Sequence, residues 1–329
     1  EAAGNIRARK PRSGVCRSLP TPRGFLSVKE PHVKPIRTAL FAPAAKERVM
    51  AKALESGADA VIFDLEDSVA ISAKAEARTA AARMIEAIAL CGEARPTIMV
   101  RVTGRAPGLL AQDLMAVVRP GLDVILLPKA ESSDDIAETA SLLDRDEITH
   151  AMRPGAVSIV PMIESALGVV RCFEMLNASP RIAGSCIGTA RDGDLQTDLN
   201  CAWSAEGLEL LYARSKVLLD TRAAGSHLQP LDGVFSDLAD EAGLLADSRL
   251  SARLGYTGRT VIHPRQLAPV REAYAVPQTE VDYYRQVVSE FEAAERSGVA
   301  AITVKGKLVD YAMYQRAKRM LALAEIDRR

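Results

Sequence analysis

The chain has no run of 18 consecutive apolar residues, so the sequence predicts no membrane span. It has no net charge either, because 42 lysines and arginines are matched by 42 aspartates and glutamates over 329 residues. That balance argues against nucleic acid or any strongly charged partner. No C-x-x-C pair occurs, and Cys16, Cys91, Cys172, Cys186 and Cys201 are scattered. They read as reduced thiols of a cytosolic protein rather than as disulfides. No G-x-G-x-x-G follows the first apolar run, which weakens a dinucleotide-binding alternative. What is present is a hydrophobic fraction of 48%, enough for one large α/β domain or a domain with an appendage.

Residues 1–36 differ from the rest. Arg7, Arg9, Lys10, Arg12, Arg17, Arg23, Lys29 and Lys34 stand against Glu1 and Glu30 alone, and Pro11, Pro20, Pro22 and Pro31 break any helix. The composition suits a mitochondrial transit segment, but prolines and glycines interrupt the amphipathic helix such a segment needs. A disordered or flexible basic extension outside the fold is expected, on a cytoplasmic protein. A transit role would instead place it in the mitochondrial matrix.

From Arg37 onward apolar runs alternate with helical stretches. The runs are "RTALFAP" (37–43), "ADAVIFDL" (58–65), "PTIMVRV" (96–102), "LDVILLPK" (122–129), "AVSIVPMIE" (156–164), "RIAGSCIG" (181–188), "SHLQPLDGVF" (226–235) and "RTVIHP" (259–264). Between them, apolar residues recur at three and four, with Gly57 and Gly225 at expected helix ends. Strands separated by helices pair in parallel, and eight of them fit a (β/α)8 TIM barrel better than an open sheet. The expected division is a barrel over 37–275 and a C-terminal helical segment over 276–329.

In a barrel of this kind reactive groups gather where strands end. Those ends carry Pro43, then Asp64, Glu66 and Asp67 in "FDLEDSV", then Arg101, Lys129, Glu164, Asp192 with Asp194, Asp232 and His263. Unpaired carboxylates beside an apolar strand lose hydration and repel one another. A ring of them calls for a divalent cation, and oxygen ligands without a Cys/His cluster favour Mg²⁺ over Zn²⁺.

The order of "DAVIFDLEDSV", "VRV", "LPKAE", "PMIESALGV", "GDLQTDL", "YARSKVLLDTRAAG", "TVIHPRQ" and "VKGKLVDYAMYQRA" resembles the citrate lyase β-subunit-like family, which includes malyl-CoA and citramalyl-CoA lyases. The likeness runs from about Arg37 to Ala324. It implies a Mg²⁺-dependent barrel (with Mn²⁺ as a substitute) that makes or breaks a carbon–carbon bond beside a coenzyme A thioester. By that resemblance Glu164 and Asp194 bind the metal, although the longer "GTARDGDL" loop leaves Asp192 as an alternative to Asp194. Arg101 would stabilise an enolate, with Thr103 replacing the family's usual Asn. Glu66 and Asp67 would hold Arg101 and the metal's waters, while Asp64 is as well placed to cap backbone N–H groups. Phe41, Lys46, Lys52 and His263 fall where the family contacts coenzyme A, Lys46 replacing a frequent Arg. Asp310 in "GKLVD" matches an aspartate that works as acid/base, often over a neighbouring subunit's barrel. Leu308 and Lys305 depart from that motif, and the bland alternative for Asp310 is a helix N-cap.

The resemblance therefore implies a retro-Claisen lyase acting on an acyl-CoA and yielding a 2-oxo acid, assembled as a homo-oligomer, a trimer or hexamer. Two rivals stand beside it. A CoA-independent pyruvate-type aldolase would need neither Lys46, Lys52 nor Asp310. A non-catalytic CoA- or acyl-binding subunit of a complex would have no use for repelling acids. Lys129 offers a Schiff-base alternative that the acid ring makes unnecessary.

Overall fold

Eight short parallel strands close on themselves, as the alternation predicts. They are β1 (Thr38–Pro43), β2 (Ala60–Asp64), β3 (Thr97–Arg101), β4 (Val124–Leu127), β5 (Ser158–Ile163), β6 (Gly184–Ile187), β7 (Gln229–Asp232) and β8 (Gly258–Val261). Each pairs with the next, and β8 returns to β1 with Thr38 opposite Arg259. The computed structural model describes residues 33–92, 95–104 and 108–326.

Helices fill the crossovers. The first half carries α1 (Glu47–Leu54), α2 (Lys74–Ala89), α3 (Leu109–Val117) and α4 (Ser133–Thr149). The second half carries α5 (Ala166–Val170), α6 (Cys172–Leu176), α7 (Asp194–Leu199), α8 (Leu208–Ala224), α9 (Glu241–Leu254) and α10 (Leu267–Tyr274). Local chemistry sets their limits. Ser132 and Asp135 form a reciprocal capping box at the start of α4. Gly57 takes a φ of 81° just beyond α1, a left-handed turn that a side chain would strain. Gly225 closes α8 in extended backbone, as its place in the sequence suggests.

The two-residue period of the strands divides the core. Ala39, Ile62, Met99, Leu126, Val160, Met162, Cys186 and Leu231 fill the barrel interior. Their neighbours Leu40, Val61, Phe63, Ile98, Val100, Ile125 and Ile159 pack outward against the helices.

The sequence reading left Val33 and Ile36 with the N-terminal extension, but both are buried in the barrel's inner core. Gln229 ties the segment down, accepting from the Ile36 N–H at 2.9 Å and donating to the Lys34 carbonyl at 3.0 Å. The basic, proline-rich context hid two apolar residues that close the open end of a barrel. The rest of that expectation, residues 1–32, lies outside the described residues.

After the barrel come α11 (Gln278–Glu295), a hairpin of β9 (Ile302–Val304) and β10 (Lys307–Val309), and α12 (Tyr311–Ile326). Lys305 and Gly306, both left-handed, make the two-residue hairpin turn. These elements share a small core of Val287, Phe291, Val304, Val309, Tyr314 and Ala317, with Phe291 and Tyr314 stacked at 4.8 Å. Near its end, α12 reaches the N-terminal side of β1, where the Leu323 carbonyl accepts from Arg37 Nη2 at 3.5 Å. Among the described residues no helix is long and apolar enough to cross a membrane.

Candidate active site at the strand ends

The acids of "FDLEDSV" are held by specific donors. Asp64, the last residue of β2, lies opposite Arg101, the last of β3. Its two oxygens accept from Arg101 Nε at 2.7 Å and Nη2 at 2.8 Å. The same carboxylate accepts the backbone N–H groups of Glu66 (3.0 Å) and Ser68 (3.3 Å), so Asp64 caps the turn and also pairs with Arg101, a contact expected of Glu66 and Asp67. Burial works to raise Asp64, yet the guanidinium and these donors hold it below the ordinary aspartate value. Arg101 Nη1 then approaches Glu66 Oε2 at 3.2 Å and Asp67 Oδ2 at 3.5 Å, with the Phe41 ring centred 5.0 Å from the guanidinium. From behind, the buried ammonium of Lys74 donates to the carbonyls of Leu65 and Glu66 and pins the turn.

Glu164 follows β5 and is buried, accepting the Lys129 backbone N–H on Oε2 at 3.2 Å. Burial raises its pKa above the ordinary glutamate value. Asp194 opens α7 with its side chain half exposed, and Lys129 Nζ lies 3.4 Å from Asp194 Oδ2 and 3.6 Å from Glu66 Oε1. Glu66 is pushed up to about 7, first by burial and then by the charges of Asp67 and Glu164, against the pull of Arg101 and Lys129. Glu66 Oε2 is buried without a hydrogen-bond partner. A cavity of about 430 Å³ joins Phe41, Asp67, Arg101, Glu164 and Asp194.

The donor set suits Mg²⁺. Among the described residues no three acidic, histidine or cysteine side chains converge closely enough to hold an ion unaided. Two carboxylates with no histidine or thiolate leave coordination positions for water and substrate oxygens, which Mg²⁺ prefers. Space for the Glu164 side chain is built in at Gly188, where a Cβ would sit 2.8 Å from Glu164 Cγ.

The expected ring is smaller than the strand ends suggest. Asp232 turns away from the barrel axis, fully buried, and pairs with Arg214. That pair continues through Asp247 to Arg259, whose Nε and Nη2 donate to the Gly233 carbonyl at 3.0 and 2.7 Å. Asp192 adopts a left-handed φ of 60° with an 83% exposed side chain beside Arg191, whereas Asp194 lines the cavity. His263 caps the turn at Pro264–Gln266, its Nδ1 accepting from the Arg265 N–H at 3.1 Å. Lys46 sits at the N-cap of α1 and Lys52 in its last turn, both exposed and neither lining the cavity. Asp310 is exposed at the start of α12, where Oδ1 accepts the Met313 N–H at 2.9 Å.

Several supporting residues escaped the sequence reading. Lys74, buried under the turn after β2, carries no sequence signal of that place. Asp113, which is buried and accepts from the Thr103 N–H at 2.6 Å, gave no signal at all. Arg259 did give one, since a charge on the outward face of a buried strand needs a partner.

The pattern defining the HpcH/HpaI aldolase/citrate lyase family matches residues 37–264. The chain belongs to this family. A second pattern, a C-C bond lyase of the TIM-barrel fold, matches residues 217–327. Within the family's reach, the citrate lyase subunit beta of Escherichia coli (strain K12) is 35% identical over 301 residues, covering 92% of this chain and 97% of that one. A (3S)-malyl-CoA thioesterase of Cereibacter sphaeroides (strain ATCC 17025 / ATH 2.4.3) is 34% identical, covering 88% and 95%. The structure of CitE from Mycobacterium tuberculosis in complex with magnesium, acetoacetate and coenzyme A is 29% identical. It covers 88% of this chain and 98% of that chain, with a TM-score of 0.67.

Proposed function

We propose that the protein is a Mg²⁺-dependent carbon–carbon lyase that cleaves a 3-hydroxyacyl-CoA thioester to a 2-oxo acid and acetyl-CoA, or joins the two. The observation that carries this reading is the meeting of Arg101, Glu164 and Asp194 in one cavity. The relative crystallised with magnesium, acetoacetate and coenzyme A supports it.

Glu164 and Asp194 would hold the divalent cation, which would supply Lewis-acid chemistry to the substrate's oxygens when bound. In cleavage the substrate hydroxyl gives its proton to water entering the mouth, the adjacent carbon–carbon bond breaks, its electron pair passes into the thioester as an enolate, and the hydroxyl oxygen becomes the carbonyl of the 2-oxo acid. Arg101 is fixed by Asp64 on one edge, so its charge stays where that enolate oxygen develops. Glu66 and Asp67 orient the remaining guanidinium nitrogen and water entering the mouth. A proton delivered to the enolate carbon completes acetyl-CoA. Asp310 takes this role from a neighbouring copy, because it is exposed at the start of α12 and is not among the residues that line the cavity of its own chain. That assignment requires a homo-oligomer. Lys46, Lys52 and His263 face the coenzyme from outside the cavity. The described cysteines Cys91, Cys172, Cys186 and Cys201 are free thiols, which supports a reducing, cytoplasmic setting.

A CoA-independent aldolase is the second reading, favoured by the position of Lys46, Lys52 and Asp310 outside the cavity lining. A panel of malyl-, citramalyl- and citryl-CoA, with the free hydroxy acids in parallel and Mg²⁺ present, separates the two. Release of a 2-oxo acid from a thioester and from no free acid supports the lyase. Cleavage of the free acids alone makes the protein an aldolase.

A further inference from the structure

Among the described residues, Lys129 is the cation in this mouth that the mechanism above leaves without a task. It follows β4 with a φ of 52°, a left-handed backbone that a long side chain rarely adopts. In that conformation both of its nitrogens serve the carboxylates. The peptide N–H donates to Glu164 Oε2 at 3.2 Å, while Nζ lies 3.4 Å from Asp194 Oδ2, 3.6 Å from Glu66 Oε1 and 4.0 Å from Asp67 Oδ1. Strain of this kind persists where the surroundings over-determine it, and it clusters at functional sites.

We propose that Lys129 is a positioning residue, an internal counter-ion that holds the acidic mouth together before the divalent cation arrives and yields Asp194 when it does. This inference rests on the metal reading of Glu164 and Asp194. The physical case is one of competition. Four carboxylates share a small, partly buried space, and without a cation they repel. The ammonium supplies one positive charge at 3.4–4.0 Å, outside the distance at which Mg²⁺ takes an oxygen ligand. Its side chain is 38% exposed, so it has room to swing out. The peptide N–H, by contrast, stays on Glu164 whether or not the ammonium moves.

Two measurements test this without relying on turnover. First, calorimetric titration of Mg²⁺ into metal-free protein compares wild type, Lys129→Gln and Lys129→Arg. Removing the competing charge should tighten Mg²⁺ binding by roughly three- to tenfold and lower the melting temperature of the metal-free form. Lys129→Arg should restore both values. Second, in the unmutated protein, reductive methylation followed by peptide mass spectrometry should find Lys129 more reactive with Mg²⁺ than with EDTA. Wild-type and Lys129→Gln proteins that bind Mg²⁺ alike, or labelling that Mg²⁺ leaves unchanged or reduces, overturn the inference and leave the metal site standing. Wild-type protein that binds no Mg²⁺ overturns the metal reading, and this inference with it.

Discussion

Arg101 and Asp64 lie opposite one another at the ends of neighbouring strands and meet edge to edge through bonds of 2.7 and 2.8 Å. A lysine has one nitrogen and cannot reproduce that fork. Arg101→Lys should therefore lower kcat by about 10²–10³-fold, the usual cost of losing a preorganised donor, with little change in melting temperature. Steady-state kinetics beside a thermal melt checks this. A variant within a few-fold of wild type would show that positive charge alone suffices.

Gly188 is a test of space. A Cβ there would stand 2.8 Å from Glu164 Cγ, so Gly188→Ala must push the carboxylate aside. Mg²⁺ affinity should weaken about 10–100-fold, as when residues that orient a metal ligand are changed. Calorimetric titration measures it. Unaltered affinity would mean that Glu164 does not hold the ion from its present position.

Glu147 makes an acid-sensitive bond far from the mouth. It is fully buried on α4 and accepts from the Val157 and Gly155 N–H groups at 2.8 Å, and from Arg181 Nη1 at 2.8 Å and Nη2 at 2.6 Å. Burial opposes its charge, but Arg181 and these donors hold Glu147 below the ordinary glutamate value. A carboxylate with a depressed folded pKa stabilises above its unfolded value, about 4.3, and loses that contribution as pH falls through the folded value. Glu147→Gln should cost about 3 kcal/mol at pH 7 by leaving Arg181 short of a partner. The gap from wild type should narrow in acid. Denaturant titrations from pH 7 to 3 test the sign, and a gap that stays constant would contradict it.

Asp310 separates helix capping from chemistry. Asn caps as well as Asp, so Asp310→Asn should leave the bond to the Met313 N–H and the stability of α12 unchanged. If a neighbouring copy's Asp310 moves the methyl proton, exchange of acetyl-CoA protons with deuterated solvent should fall by about 10²–10⁴-fold. Exchange within a few-fold of wild type would reduce Asp310 to a cap.

Much of this architecture was legible because it follows from periodicity. Each of the eight apolar runs holds a strand, since alternate residues of a closed parallel sheet must face two different cores. Asp64, Arg101 and Glu164 were legible because a charged residue ending a buried strand points into the mouth. The same rule misplaced Asp232, one residue out of phase, whose carboxylate turns outward to Arg214. Long-range partners were not legible. Nothing near Lys74 or Asp113 in the chain signals the carbonyls and N–H that they meet across the fold. Likewise, only the closed barrel reveals that Val33 and Ile36 plug its base.

The central claim is that Glu164 and Asp194 hold the divalent cation on which carbon–carbon cleavage depends. Its most direct test is the rate of 2-oxo acid release from the best thioester as Mg²⁺ is restored to EDTA-treated protein, for wild type, Glu164→Gln and Asp194→Asn. Wild type should be inactive without metal and saturate as it is added, while each variant should need at least about tenfold more metal or stay silent. Full activity of wild type in EDTA, or variants that follow the wild-type metal curve, would contradict the account.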